Sequence, residues 1–464
     1  MKIKELISKI NLPTKASVAY LGASILGKSI GLITTPFFTR LISKDEYGKL
    51  TLYMTILGGA SIICSAISSS SAVYRGFKLY ENKKGEFVKS TLLVSIGFSV
   101  IISLALFCFL GFFRLDRSLF IPLALQIICD SIVGFSLAKA RYYYKYGEVM
   151  LINILSSALP ALVSLIILGK FGGGFVVRIY SLLFVSIIVA AWQVIRLLRS
   201  RERISKGIVT NIIKTSMPLL PHSFSVAISG QMDKLFITAL MGSAALSSYS
   251  VAHSLGISMQ FAVTALGASL GPWLIRKIDE GGYERIGEVV STIFSLFCAI
   301  ALGLCAISPE LMNILAPDSY IDALPAIAPI SLSVPLGFLS YVITVGLVQV
   351  GRGRYTALIS LSSLGVCFIL NYALIPPLGY FGAGLALLLS QAVGVGMGLW
   401  FMRKSDLAKT FLPKRVFSIF LFSIGIAVML SPFYGFLYLR VFILVVPTIM
   451  LLNSLLHSKQ LITE

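Results

Sequence analysis

Apolar residues along this chain come in runs of about twenty, separated by short polar breaks, from position 16 almost to the end. Runs of that length match the hydrocarbon core of a bilayer, which an α-helix crosses in about 20 residues. The pattern predicts fourteen spans, near 16–42, 47–73, 88–113, 118–138, 149–169, 174–195, 215–240, 244–274, 289–308, 323–350, 355–375, 379–401, 416–432 and 437–456. The breaks between them are too short for a domain on either side of a membrane.

Polar residues inside the spans are spaced like helix faces. Ser24, Lys28, Gly31, Thr35 and Thr39 step by three or four along the first span, with Arg40 beside their outer end. Gln126, Asp130 and Gly134 do the same in the fourth. Ser225, Ser229 and Asp233 follow one another in the seventh, with His222 ahead of them and Lys234 just after. The second span carries Ser61, Ser65 and Ser68 and ends near Arg75. The eighth carries Ser250, Ser254 and Ser258, with His253 one position round. Small hydroxyl residues also let helices pack closely, which accounts for the serines equally well. It does not account for Lys28, Lys234, Asp130 or Asp233, because a charge at bilayer depth must face protein or water. Two readings stay open for these: a water-filled substrate cavity, or structural ion pairs between helices. Pro36, Pro218 and Pro221 are expected to kink the first and seventh spans.

Composition settles the class. The 464 residues are 57% hydrophobic and 12% charged, with a mean hydropathy of +0.91, which no soluble core can bury. A net charge of +20 would suggest nucleic acid in a soluble protein, but here most Lys and Arg fall in alternate loops. The positive-inside rule then puts both termini in the cytoplasm and explains the charge without nucleic acid. The basic start, MKIKELISKINLPTK, reads as a cytoplasmic lead-in. The outer loop expected from Pro309 to Asp322 is acidic. Cys64, Cys108, Cys129, Cys298, Cys305 and Cys367 lie in apolar spans without metal-ligand or redox spacing and read as packing residues. Tyr142–Tyr144 beside Arg141 and Lys145 read as an interfacial aromatic belt, or as a grip on sugar rings. No HExxH, GxSxG, P-loop or paired-carboxylate motif stands at a water-exposed position, so the chain reads as a transporter driven by gradients rather than an enzyme.

The basic run Arg196–Lys206, also a candidate contact for anionic lipid, separates the sixth span from the seventh. It divides the chain into a six-helix lobe at 1–200, a second at 201–403, and two further helices at 404–464. Six spans before the linker bring the seventh in with the orientation of the first, so the repeat is parallel. A weak internal match agrees, setting Gly31, Phe37, Thr39 and Leu41 against Gly230, Phe236, Thr238 and Leu240.

The segment TTPFFTRLISKDEYGKLTLYMTI resembles the N-terminal signature of polysaccharide-biosynthesis flippases through Pro36, Thr39, Arg40, Tyr47 and Gly48. KTSMPLLPHSFSVAISGQMDKLFITALMGSAALSSYSVAHSLG is similar to their seventh-to-eighth segment through Pro218, Pro221, Asp233, Lys234, Gly242, Tyr249 and Ala252. Lys234 stands where that pattern more often has arginine. These motifs cover about 70 residues, and length and helix count agree over the rest. The resemblance is to O-antigen (Wzx-type) flippases of the MATE-like multidrug/oligosaccharidyl-lipid/polysaccharide superfamily. It implies an all-α polytopic fold of about 14 transmembrane helices, with two parallel six-helix lobes plus two C-terminal helices, in the bacterial inner membrane. The implied activity is translocation of an undecaprenyl-diphosphate-linked oligosaccharide by alternating access, coupled to H+ or Na+ without a cofactor. Membrane lipids, a polysaccharide polymerase and a chain-length regulator are the implied partners. On this resemblance Lys28, Arg40, Lys234 and Arg75 would attract the diphosphate, and Asp130 and Asp233 would take the coupling ion. Ser24, Thr35, Thr39, Gln126, His222, Ser229 and His253 would add polar cavity wall. A MATE-type drug exporter, a lipid II flippase and a membrane glycan polymerase are the alternatives. The cations argue against the exporter, and the short outer loops against the polymerase.

Overall fold

Long apolar runs in a chain of this kind have one economical state, because an α-helix satisfies every backbone N–H and C=O within its own segment. The computed structural model describes residues 12–68, 70–109, 116–199, 202–403, 413–430, 434–436 and 438–440. The described residues are almost wholly helical and contain no strand. Most of the fourteenth expected span, 437–456, lies outside them, as do most of the N-terminal lead-in and the side chains of Ser24, Lys28 and His222.

The chain packs as two compact units, Met1–Gln231 and Met232–Glu464. The first holds α1 (Leu12–Leu41), α2 (Lys44–Cys64), α3 (Ser70–Leu79), α4 (Lys84–Phe109) and α5 (Phe120–Tyr142). It continues through α6 (Tyr146–Phe171), α7 (Gly174–Leu198), α8 (Lys206–Ser216) and α9 (Leu220–Ser229). The second holds α10 (Met232–Met241), α11 (Ser243–Gly256), α12 (Gln260–Asp279) and α13 (Tyr283–Leu315). It ends with α14 (Ile327–Gln349), α15 (Arg354–Met402) and α16 (Pro413–Leu430). Among the described residues seven helical runs are long and apolar enough to cross a bilayer. The two units divide at the α9–α10 break. The lobe boundary expected at position 200 rests on the basic run Arg196–Lys206.

Local chemistry explains where the helices start and stop. Ser43 opens α2 with a capping box, its Oγ accepting from the Glu46 N–H at 3.3 Å while the Glu46 carboxylate reaches back. Bulky residues on the outer faces, among them Ile101, Leu104, Phe107, Ile121, Phe184 and Phe417, are exposed, as suits side chains whose solvent is lipid. In the first unit Phe77, Phe87, Leu92, Ile132, Phe135 and Ile212 form a core joining α3, α4, α5 and α8. In the second, Phe294, Phe297, Leu339, Val342 and Leu388 join α13, α14 and α15. Cys64, Cys129, Cys298, Cys305 and Cys367 are buried in such packing, and Cys108 is exposed.

Several expected spans are interrupted. The second, 47–73, ends at Cys64 and turns through the serine-rich stretch before α3, since serine side chains compete with the helix ladder for backbone groups. The seventh, 215–240, is broken twice. A 3-10 turn at Met217–Leu219 carries Pro218, which has no N–H to give. The ladder stops again where Gly230 N–H and Gln231 N–H bond back to Val226 and Ile228. Ser225, Ser229 and Asp233 therefore do not share one continuous helix face. The eighth, 244–274, breaks at Ile257–Met259. Pro36 lies inside an uninterrupted α1. Pro309 lies inside α13, so the acidic loop expected from Pro309 begins later.

The α15 segment runs for 49 residues, which as one straight helix would measure about 74 Å, more than twice a bilayer core. It is instead a hairpin. Gly379 leaves helical geometry at φ 54° and ψ −130°, just after Pro376 and Pro377. Beyond it Gly382 faces the backbone of Leu374 and Ile375, and Gly394 faces Ser363, so the second limb runs back along the first.

Arg440 is 2% exposed and donates to both Glu310 oxygens, at 2.9 and 2.5 Å, and to the Ala306 carbonyl. Glu310→Ala would strand this buried guanidinium. It is expected to cost about 3 kcal/mol, read as a lower melting temperature of the protein in detergent. Replacing both partners by Leu and Met should restore most of that loss.

Candidate functional site: two buried carboxylates

In the first unit, α2, α4, α5 and α7 meet around Asp130. Its Oδ2 accepts from Ser61 Oγ at 2.9 Å and its Oδ1 from Gln126 Nε2 at 2.8 Å. Gln126 lies one turn earlier on α5, so the sequence spacing holds. The same Nε2 donates to Ser186 Oγ on α7 at 2.8 Å. Ser99 and Ser131 pair at 2.6 Å across α4 and α5. Tyr53 is fully buried in the field of Asp130. Its hydroxyl and Gln126 Oε1 have no hydrogen-bond partner among the described residues. Two unsatisfied buried polar atoms beside a carboxylate make a place for a proton, a water or a small cation to be exchanged.

In the second unit Asp233 stands in the first turn of α10, where the helix dipole favours negative charge. It is 3% exposed, and its Oδ2 accepts from the Tyr249 hydroxyl at 2.6 Å and faces His253 Nε2 at 3.4 Å. Tyr249 and His253 are one turn apart on α11 and so meet the same oxygen. Lys234 follows in the α10 turn, half-buried. Asn371, fully buried on the first limb of α15, donates to the Cys367 carbonyl at 2.8 Å and leaves its Oδ1 without a partner among the described residues. A carboxylate bonded to a phenol and an imidazole can pass a proton without leaving a charge bare.

Thus Asp130 and Gln126 are brought together in one unit, and Asp233 and His253 in the other. Thr35 and Thr39 are buried, with hydroxyls returned to the Gly31 and Thr35 carbonyls of their own helix at 2.9 and 3.0 Å. Arg40 is exposed at the end of α1 and donates to the Pro36 carbonyl at 3.0 Å. Arg75, on α3, lines a separate, small cavity of about 60 Å³ with Tyr80 and Asn211. Ser229 is half-buried at the end of α9. The described side chains include no cluster of His, Cys, Asp or Glu able to hold a metal ion.

Sequence reasoning did not single out Arg178, near the start of the sixth expected span. The side chain is half-buried on α7, donating to Ser164 Oγ at 3.0 Å and lying 4.9 Å over the Phe38 ring, near Tyr47. It lies just four residues after Gly174, close to one end of that span, where a charge can reach the membrane surface. Tyr53 and Tyr249 were missed as site groups because only the fold brings a phenol to a carboxylate on another helix.

These features define a polytopic, all-helical membrane protein with carboxylate-centred polar clusters inside its helical units. The chain belongs to the polysaccharide biosynthesis protein family, whose model matches residues 14–277. It is 22% identical over 275 residues to an Lsg locus protein of Haemophilus influenzae, covering 57% of this chain and 67% of that one. Its fold is that of the multidrug/oligosaccharidyl-lipid/polysaccharide superfamily. The inward closed lipid II flippase MurJ is similar at a TM-score of 0.74 and 15% identity, covering 96% of this chain and all of that one. An inward-facing MATE multidrug transporter is similar at a TM-score of 0.64 and 13% identity, over 85% and 98% of the two chains.

Proposed function

We propose that this protein moves a lipid-linked oligosaccharide, an O-antigen or similar repeat unit on undecaprenyl diphosphate, from the inner to the outer leaflet of the cytoplasmic membrane. The observation carrying this reading is the presence, in a polysaccharide biosynthesis family member with a flippase-like fold, of Asp130 and Asp233 in buried polar clusters. A carboxylate that gains or loses a proton or cation inside a helical unit biases which packing that unit prefers, and so can drive alternating access. Lys28 and Arg40 would attract the diphosphate. Apolar grooves of about 490 Å³ each in the second unit, lined by Phe417 and Phe420 and by Leu385 and Val428, suit an apolar chain. Alternate basic loops support cytoplasmic termini. A cavity holding Lys28 and Arg40 would disfavour a carrier of lipophilic cations, and the chemistry needed is transport rather than bond breaking.

The test is a deletion strain in which lipid-linked oligosaccharide is measured and its sidedness read with a membrane-impermeant glycosidase. Complete repeat units held on the cytoplasmic face, released by restoring the gene, are the expected result. Normal export in a strain without a second flippase would overturn the proposal. A peptidoglycan precursor as cargo is the second reading, favoured by the fold likeness to MurJ. Normal growth of the same deletion strain removes it.

A further inference from the structure

The end of the first unit where α5, α6 and α7 come together holds a cleft of about 260 Å³ that neither carboxylate cluster uses. Lys139 from α5, Lys145 from the α5–α6 turn, Arg196 from α7 and Arg199 just after its end line it. The acidic side chain among the lining residues is Glu148, already joined to Arg196 at 2.9 Å. Four cations against one carboxylate leave the cleft strongly positive.

Two further features mark a ligand site rather than a solvated basic surface. Gln193 is 2% exposed and lines the cleft, and its Nε2 has no hydrogen-bond partner among the described residues. A buried amide donor left unpaired costs free energy unless something in the cleft accepts from it. In addition, α6 starts at the cleft rim from Lys145 without a side-chain cap, so its first-turn N–H groups point to that end of the unit. Trp192, with the Arg196 guanidinium 5.1 Å over its ring, stands next to Gln193. A tryptophan and an arginine in contact are usual at headgroup depth.

We propose that this cleft binds the phosphate of an anionic phospholipid headgroup, with Lys139 and Arg199 supplying charge and Gln193 an uncharged donor. A phosphate offers the acceptors that the amide and the ammonium groups lack. The site is independent of the transport reading. A resident lipid here would fix α5, α6 and α7 to the leaflet.

The experiment uses the purified full-length protein in a neutral detergent. Native mass spectrometry counts retained dioleoyl phosphatidylglycerol against dioleoyl phosphatidylcholine, with inorganic phosphate as competitor. Wild-type protein is expected to retain phosphatidylglycerol in preference. Lys139→Gln combined with Arg199→Gln should lower that affinity about tenfold or more, at roughly 1 kcal/mol per basic residue. Lys83→Gln with Lys84→Gln, basic residues outside the cleft, should not change it. Retention that millimolar phosphate does not displace assigns the site to the lipid. A change in tryptophan fluorescence on adding phosphate that Trp192→Phe abolishes, without lipid preference, assigns the same anion chemistry to free phosphate. Equal retention of both lipids without any effect of phosphate overturns the proposal, as does phosphatidylglycerol binding indifferent to the double change. Should the double variant not accumulate, Gln193→Met keeps every charge and nearly the volume. A fall of about fivefold supports the site, and no change overturns it.

Discussion

Asp233→Asn is expected to leave the protein folded and in the membrane while lowering polysaccharide export about tenfold or more. The asparagine oxygen can still accept from the Tyr249 hydroxyl, now at 2.6 Å from the carboxylate, so the α10–α11 contact survives. What is lost is the negative charge, and with it the capacity to take up a proton or hold a cation beside His253. A coupling free energy of about 1–3 kcal/mol between ion and conformation corresponds to about 5- to 150-fold in the response. Asp233→Ala should do more damage of a different kind. It leaves a buried phenol and a buried imidazole without their acceptor, at about 1–3 kcal/mol for each. Surface polymer measured against the amount of protein in the membrane separates the two effects. Full export by Asp233→Asn at the normal protein level would remove ionisation at this site from the mechanism.

Gly382→Val should prevent accumulation of the protein almost entirely. A Cβ at this position would lie 2.6 Å from the Leu374 carbonyl carbon and 3.1 Å from the Ile375 nitrogen. Those atoms are backbone of the opposite limb of α15, so no side chain can swing aside. Ordinary overpacking costs about 1–3 kcal/mol, and parting two packed backbones should cost about 3 kcal/mol or more, a large share of a typical folding free energy. Gly379→Ala is expected to be milder, about 1–3 kcal/mol, since it meets an unfavourable backbone angle rather than a collision. Membrane blots and melting in detergent check both. Wild-type amounts of Gly382→Val would contradict the hairpin.

The apolar periodicity carried the fold class because a bilayer leaves the backbone so few options. The division of α15 was legible for the same reason, with Pro376 and Pro377 marking the turn. Breaks at Gly230 and Ile257 were not, since a helix in a protein interior can be cut where packing favours a turn while hydropathy stays high. Asp130 and Gln126 share a helix, and one-turn spacing puts them on one face of it. Asp233 and His253 were singled out separately, but their pairing depends on how α10 meets α11, which periodicity within one helix does not encode. Arg178 and Arg440 were lost because each sits close to an expected span end, where a charge looks harmless; the fold draws both inward, onto Ser164 and Glu310.

With five thiols packed away and Cys108 exposed one residue before the end of α4, the unaltered chain is its own single-label background. A fluorophore or nitroxide attached there would follow the movement of the first unit during turnover, and no native cysteine would first have to be removed.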